Sequence, residues 1–164
     1  MSKIAKITGQ KIVNCLGDNT IEVRVELDNG LSERASVPSG AIRGKYEAVS
    51  VPDLDKAIQN IATVITENLR GRDPIDQSGV DKILIALDNT PNKSNLGANT
   101  VLGVSLAVAR VASLSEGIKL YQHIANLFGR KDPIKRLPDP MLNLINGGAH
   151  ADNNLSFQDF MIVP

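Results

Sequence analysis

The chain has 164 residues, with 18 basic and 18 acidic side chains mixed along its length and no net charge. That balance excludes the basic stripe of a nucleic-acid binder and the polybasic face of a membrane-surface protein. Aromatic residues make up 3% of it against 42% hydrophobic, so any core must be built from Ile, Val, Leu and Ala. Cys15 is the only cysteine; it can form no internal disulfide and fits a reducing compartment. Residues Met1 to Lys6 lack the apolar run of a secretory signal, and no apolar stretch reads as long enough to span a bilayer. The expectation is a cytoplasmic protein with neither nucleic acid nor membrane among its partners.

Ile4 to Val13 is rich in β-branched residues and reads as a first strand, closed by the turn residues Gly17-Asp18-Asn19. Thr20 to Leu27 alternates strictly, with Ile21, Val23, Val25 and Leu27 on one face and charges on the other. That is the period of a half-buried antiparallel strand. Asp28-Asn29-Gly30 is hairpin chemistry, because Asn-Gly tolerates the positive φ such turns need. Leu31 to Val37 returns as a third strand. Ser50-Val51-Pro52-Asp53 then supplies a cap, a proline and an acid at a helix start. Leu54, Ile58, Ile61, Ile65 and Leu69 follow as one apolar stripe, and Gly71 closes it.

A second helix is predicted from about Gln77 to Leu87, and a third from Ala98 to about Leu114. The third is small or apolar on nearly every side, which predicts burial all round, so that a charge at Leu106 should unfold the domain. Leu120 to Phe128 makes a short fourth helix, with His123 expected to be partly exposed. Pro133, Pro138 and Pro140 mark a linker, after which Met141 to Ile145 and Phe157 to Val163 read as strands with no sheet to join. Unpaired, their edges would recruit other chains; the tail should be disordered, packed on the meander, or exchanged with a second copy. The fold class is α+β: a three-stranded antiparallel meander, a bundle of about four helices (residues 1–138), and an incomplete barrel segment (139–164).

The residues offer little chemistry by pattern alone. There is no G-x-G-x-x-G, Walker A, C-x-x-C or H-E-x-x-H motif. Two histidines and one cysteine argue against a zinc site built on those ligands. Two places stand out. Val37-Pro38-Ser39-Gly40-Ala41-Ile42-Arg43-Gly44-Lys45-Tyr46-Glu47-Ala48 is a glycine-bearing loop where strand gives way to helix, suited to approach a ligand, although a plain connector is the commoner role. His150 follows Gly147-Gly148 and precedes Asp152, Asn153, Gln158 and Asp159, a set suited to binding or proton transfer.

The loop order Val-Pro-Ser-Gly-Ala, then Gly, then Tyr-Glu-Ala resembles the active-site lid of enolases. Asn146 to Asn154 followed by Phe157 to Ile162 resembles the early barrel segment of that family. Leu87-Asp88-Asn89-Thr90-Pro91-Asn92-Lys93-Ser94-Asn95-Leu96-Gly97-Ala98-Asn99 is similar to its Leu-Asp-Gly-Thr-Pro-Asn-Lys-Ser-x-Leu-Gly-Ala-Asn run, and Leu102 to Arg110 continues it. The resemblance implies that Ser39, Gly40 and Ala41 belong to a lid closing over substrate. It matches His150 and Gln158 to substrate-binding positions, and Asp159 to a glutamate that helps handle a departing hydroxyl. It further implies Mg2+ in a complete enzyme, none bound tightly by this chain alone, and 2-phosphoglycerate and phosphoenolpyruvate as ligands of a homo-oligomer.

The departures from the family are specific. Ile42 and Arg43 stand where the family lid has Ser-Thr, so Ile42 could offer a metal only its backbone carbonyl. Asp159 withdraws its carboxylate by about one methylene length. Gln10 replaces an arginine common at the family's dimer interface, whereas Glu22 is retained. A barrel needs roughly 200 residues or more, whereas 24 follow Pro140. The lysine base and metal-binding acids of the family are therefore not expected in this chain. It reads as the N-terminal part of an enolase-type lyase or, alternatively, as a non-catalytic binding or assembly module.

Overall fold

The computed structural model describes residues 2–40, 44–130 and 136–164, with His150 described in its backbone only. The chain divides into two compact units, Met1–Lys131 and Asp132–Pro164.

In the first unit, β1 (Ile4–Val13), β2 (Asn19–Leu27) and β3 (Ser32–Ser36) form an antiparallel meander in that order. Its register pairs Ile7 with Val25 and Val23 with Ala35. The alternation in β2 does what its period requires: Ile21, Val23, Val25 and Leu27 are all buried on the inner face. The outer face is polar and laced across strands. Glu22 accepts from Gln10 at 2.9 Å and from the Ser36 hydroxyl at 3.1 Å, and Arg34 lies 3.5 Å from it. The charge absent at Gln10 is thus supplied to Glu22 by a neighbouring strand.

The helical layer has the four pieces expected. The first is a continuous rod of α1 (Leu54–Asn60), a π-helical turn (Ile61–Ile65) and α2 (Thr66–Leu69). From Ile61 through Ile65 to Leu69 its apolar stripe steps by four, which drifts about 40° per step on a regular α-helix. The wider π turn absorbs that drift and keeps Ile61, Ile65 and Leu69 buried together. Thr66 Oγ1 stands within 2.7 Å of Ile61 O and 3.1 Å of Ile7 O, tying the turn to β1. The N-cap is Asp53, whose Oδ1 accepts from Asp55 and Lys56 N–H, each at 3.1 Å; Ser50, expected to cap, lies too early in the chain.

Next come α3 (Gln77–Asp88), α4 (Ala98–Ser115) and α5 (Leu120–Leu127). At the end of α3, Asn89 takes the left-handed conformation with φ +53°. Glycine enters that region without steric penalty. Asn89→Gly is therefore expected to raise stability by about 0.5 kcal/mol, read as a higher urea midpoint at unchanged slope.

Helix α4 packs across β2 and β3 and buries Val104, Ala107, Val108 and Val111. A Cβ on Gly103 would lie 2.7 Å from Val23 Cγ2 and 3.0 Å from Val37 Cγ2, so glycine sets this close approach. Burial all round was expected and does not occur. Leu102, Leu106 and Leu114 are each about two-fifths exposed, because only one side of the helix meets the sheet. Length and composition alone would let α4 cross a bilayer, contrary to the sequence expectation, yet half of it is buried inside the fold.

His123 also departs from expectation. It is buried, its Nδ1 donates to Glu116 Oε2 at 2.6 Å across the α4–α5 corner, and its Nε2 is enclosed without a partner among the described residues.

In the second unit, β4 (Leu142–Asn146) and β5 (Asp159–Ile162) pair with each other, Leu142 opposite Ile162 and Asn146 opposite Asp159. The sequence reading gave these strands no sheet to join. The pairing is antiparallel because the connection turns back on itself through a short 3₁₀ turn (Gly148–His150). Leu144, Ile145, Phe160, Met161 and Ile162 remain exposed on the hairpin.

Candidate functional site

The loop after β3 is anchored at both ends. Val37 N–H donates to Ile21 O at 2.9 Å, and Val49 N–H donates to Asn92 O at 2.7 Å. Ser39 and Gly40 are exposed between these anchors; Ala41 and Ile42 lie outside the described residues. The loop borders an open cleft of about 1130 Å³ in the first unit, whose lining includes Lys11, Ser39, Gly40, Glu47, Asn99 and Leu102. Lys11 is paired there with Asp55 at 2.7 Å.

The cleft wall rests on a carboxylate that the sequence reading passed over. Asp88 is fully enclosed at the end of α3. Its Oδ1 accepts from Thr90 N–H at 3.1 Å and from the Thr90 hydroxyl, and its Oδ2 accepts from Leu96 N–H at 2.7 Å. Burial alone would push this carboxyl's pKa up. The Thr90 hydroxyl, the Leu96 and Thr90 amides and the nearby Lys93 charge outweigh burial and hold it below the ordinary value. The signal in sequence was an Asp-x-Thr followed by Leu-Gly, an Asx-type turn that propensity alone does not distinguish from any polar loop.

In the second unit the remaining expected residues gather at one end of the hairpin. Gly147 N–H donates to Gln158 O at 2.8 Å, which sets the turn carrying His150 beside Gln158. A Cβ on Gly147 would lie 2.3 Å from Phe157 O, so only glycine fits there. Asp159 Oδ1 accepts from Asn143 Nδ2 at 2.7 Å, and the same amide donates to Asn146 Oδ1. Asn153 Nδ2 donates to Asn146 O at 2.9 Å. Asn143 and Asn146, which order this end, had no assigned role from the sequence, and Asn153, read there as one of a binding set, serves here to hold the turn. What the cluster offers is a carboxylate held in place by an amide, next to a glycine turn bearing a histidine. Magnesium demands several hard oxygen ligands in near-octahedral order. Among the described residues no group of three or more His, Cys, Asp or Glu is gathered to hold a metal, so the side chains in view do not by themselves fit that ion.

The first unit is a meander backed by helices with an anchored loop beside a cleft, and the second is a two-stranded hairpin. Comparison with known families gives both parts: residues 4–124 match the enolase N-terminal domain, and residues 134–164 match the enolase C-terminal TIM barrel domain. The chain belongs to the enolase family.

Proposed function

We propose that this chain is the N-terminal part of an enolase-type lyase that, with its barrel, dehydrates 2-phosphoglycerate to phosphoenolpyruvate in glycolysis. The observation that supports it is the occurrence, in order, of two adjoining families of one enzyme over nearly the whole chain. In this reading Ser39, Gly40 and Ala41 form the lid, His150 and Gln158 hold the substrate, and Asp159 meets the departing hydroxyl. Closure of such a loop excludes water and completes the site. The enzyme is cytoplasmic and homo-oligomeric. In this family of reactions one or two magnesium ions and a basic side chain stabilise the enolate, and in this reading the chain lacks the base and the metal-binding acids.

The purified chain, given magnesium and 2-phosphoglycerate, is accordingly expected to form no phosphoenolpyruvate. Joined to the barrel of a working enolase, it should turn over about 10- to 100-fold more slowly than that enzyme, with Asp159→Glu recovering part of the loss. A folded chimera that stays inert with both Asp159→Glu and Ile42→Ser in place would sink the reading and leave a non-catalytic binding module.

A further inference from the structure

The strap between β3 and α1 is held at its ends and, among the described residues, nowhere between. At the near end the Thr20 hydroxyl donates to Val37 O at 2.8 Å, beside the Val37–Ile21 bond. At the far end Ala98 N–H donates to Val49 O at 2.8 Å, beside the Val49–Asn92 bond. Two residues on, one side chain takes both backbone groups of Val51. Asn99 Oδ1 accepts from Val51 N–H and Asn99 Nδ2 donates to Val51 O, each at 3.1 Å. Only one orientation of the amide satisfies both bonds. Between these points, among the described residues, Gly44 and Glu47 bond to each other, at 3.0 and 3.2 Å.

The far anchor is built with little slack. Asn99 is 7% exposed. Gly97 has φ +97°, and a Cβ on it would lie 2.6 Å from Asn99 Oδ1 and 2.7 Å from Val51 Cγ2. The loop that presents Asn92 and leads into Asn99 at the start of α4 is closed from within by Asp88.

We propose that Asn99 is a positioning residue that pins the far end of the strap. Val37 and Val49 are then fixed points bounding the strap, and a loop with fixed ends has fewer conformations to lose on binding a ligand. The proposal rests on the reading of this loop as a lid, but its test needs neither substrate nor barrel. Failure of the lyase assay therefore leaves it standing, and its own failure leaves the lyase reading untouched.

Amide hydrogen exchange on the full 164-residue chain gives the test, with Asn99→Ala and Asn99→Asp. The alanine variant should speed exchange at Val51 about tenfold or more and at Val49 by a smaller factor, with the β2 amides unchanged. The aspartate keeps an acceptor for Val51 N–H and should give a smaller rise at Val51. Acceleration confined to Val51 would mean a local bond that pins nothing; acceleration shared by β2 would mean a general loss of stability. Either result overturns the proposal. Should the alanine variant not fold, the same contrast between Val49, Val51 and β2 in the aspartate variant decides it.

Discussion

Val108→Asp should leave the first unit unfolded at neutral pH, while the same substitution at Leu106 should be tolerated. The two residues are neighbours on an apolar helix, but Val108 is wholly enclosed against the sheet and Leu106 is 40% exposed. A carboxylate introduced without a partner into an aliphatic interior has its pKa raised by as much as about 3–5 units. At about 1.36 kcal/mol per unit, that is roughly 4–7 kcal/mol against folding. A domain of this size is stable by about 5–15 kcal/mol, and loss of the valine contact removes about 1.5 kcal/mol more. At Leu106 the carboxylate turns into water, and the change should stay near or below about 1 kcal/mol. Far-UV circular dichroism through a thermal melt reads both. Equal melting of the two variants would mean that the helix faces are wrongly assigned.

The second large effect is expected at Asp88. Removing its carboxylate in Asp88→Ala leaves Leu96 N–H buried without a partner and opens the loop from Thr90 to Leu96. Several charge-assisted bonds are lost at once, each typically worth about 1.5–3 kcal/mol. Because they act as one unit, a loss of about 3–5 kcal/mol is expected rather than their sum. The acid dependence has a definite sign. The folded carboxyl has a lowered pKa, so its contribution is fully present above the unfolded value of about 3.9 and is lost as pH falls through the folded value. Urea titrations of the native chain and of Asp88→Asn should therefore differ most at neutral pH and converge below about pH 4. A gap that stays constant through that range would show that the charge is not what closes the loop.

How much of this was legible in the sequence depends on which residues an element needs in order to be recognised. The meander was legible because Ile21, Val23, Val25 and Leu27 alternate within one strand, and Asn29-Gly30 marks its turn. The four helical pieces were legible because stripe and stop signals lie within a few turns of one another. The family was legible from runs of adjacent residues, and the match over residues 4–124 agrees with that. All of these are properties of near neighbours in the chain.

What the tertiary structure alone decided involves partners far apart in sequence. Asn99 meets Val51 across 48 positions and Thr66 meets Ile7 across 59, and no local pattern announces either contact. The apolar periphery of α4 could not reveal which side the sheet would take, because an all-round apolar helix has no moment to point with. His123 reads as a surface residue until Glu116 is folded onto it. The strands of the second unit lacked a visible partner because each is the other's, joined through a glycine turn whose reversal no period predicts. Local sequence sets which elements form, through propensity and periodicity; burial and polar pairing are set by chain segments that become neighbours only when the fold closes.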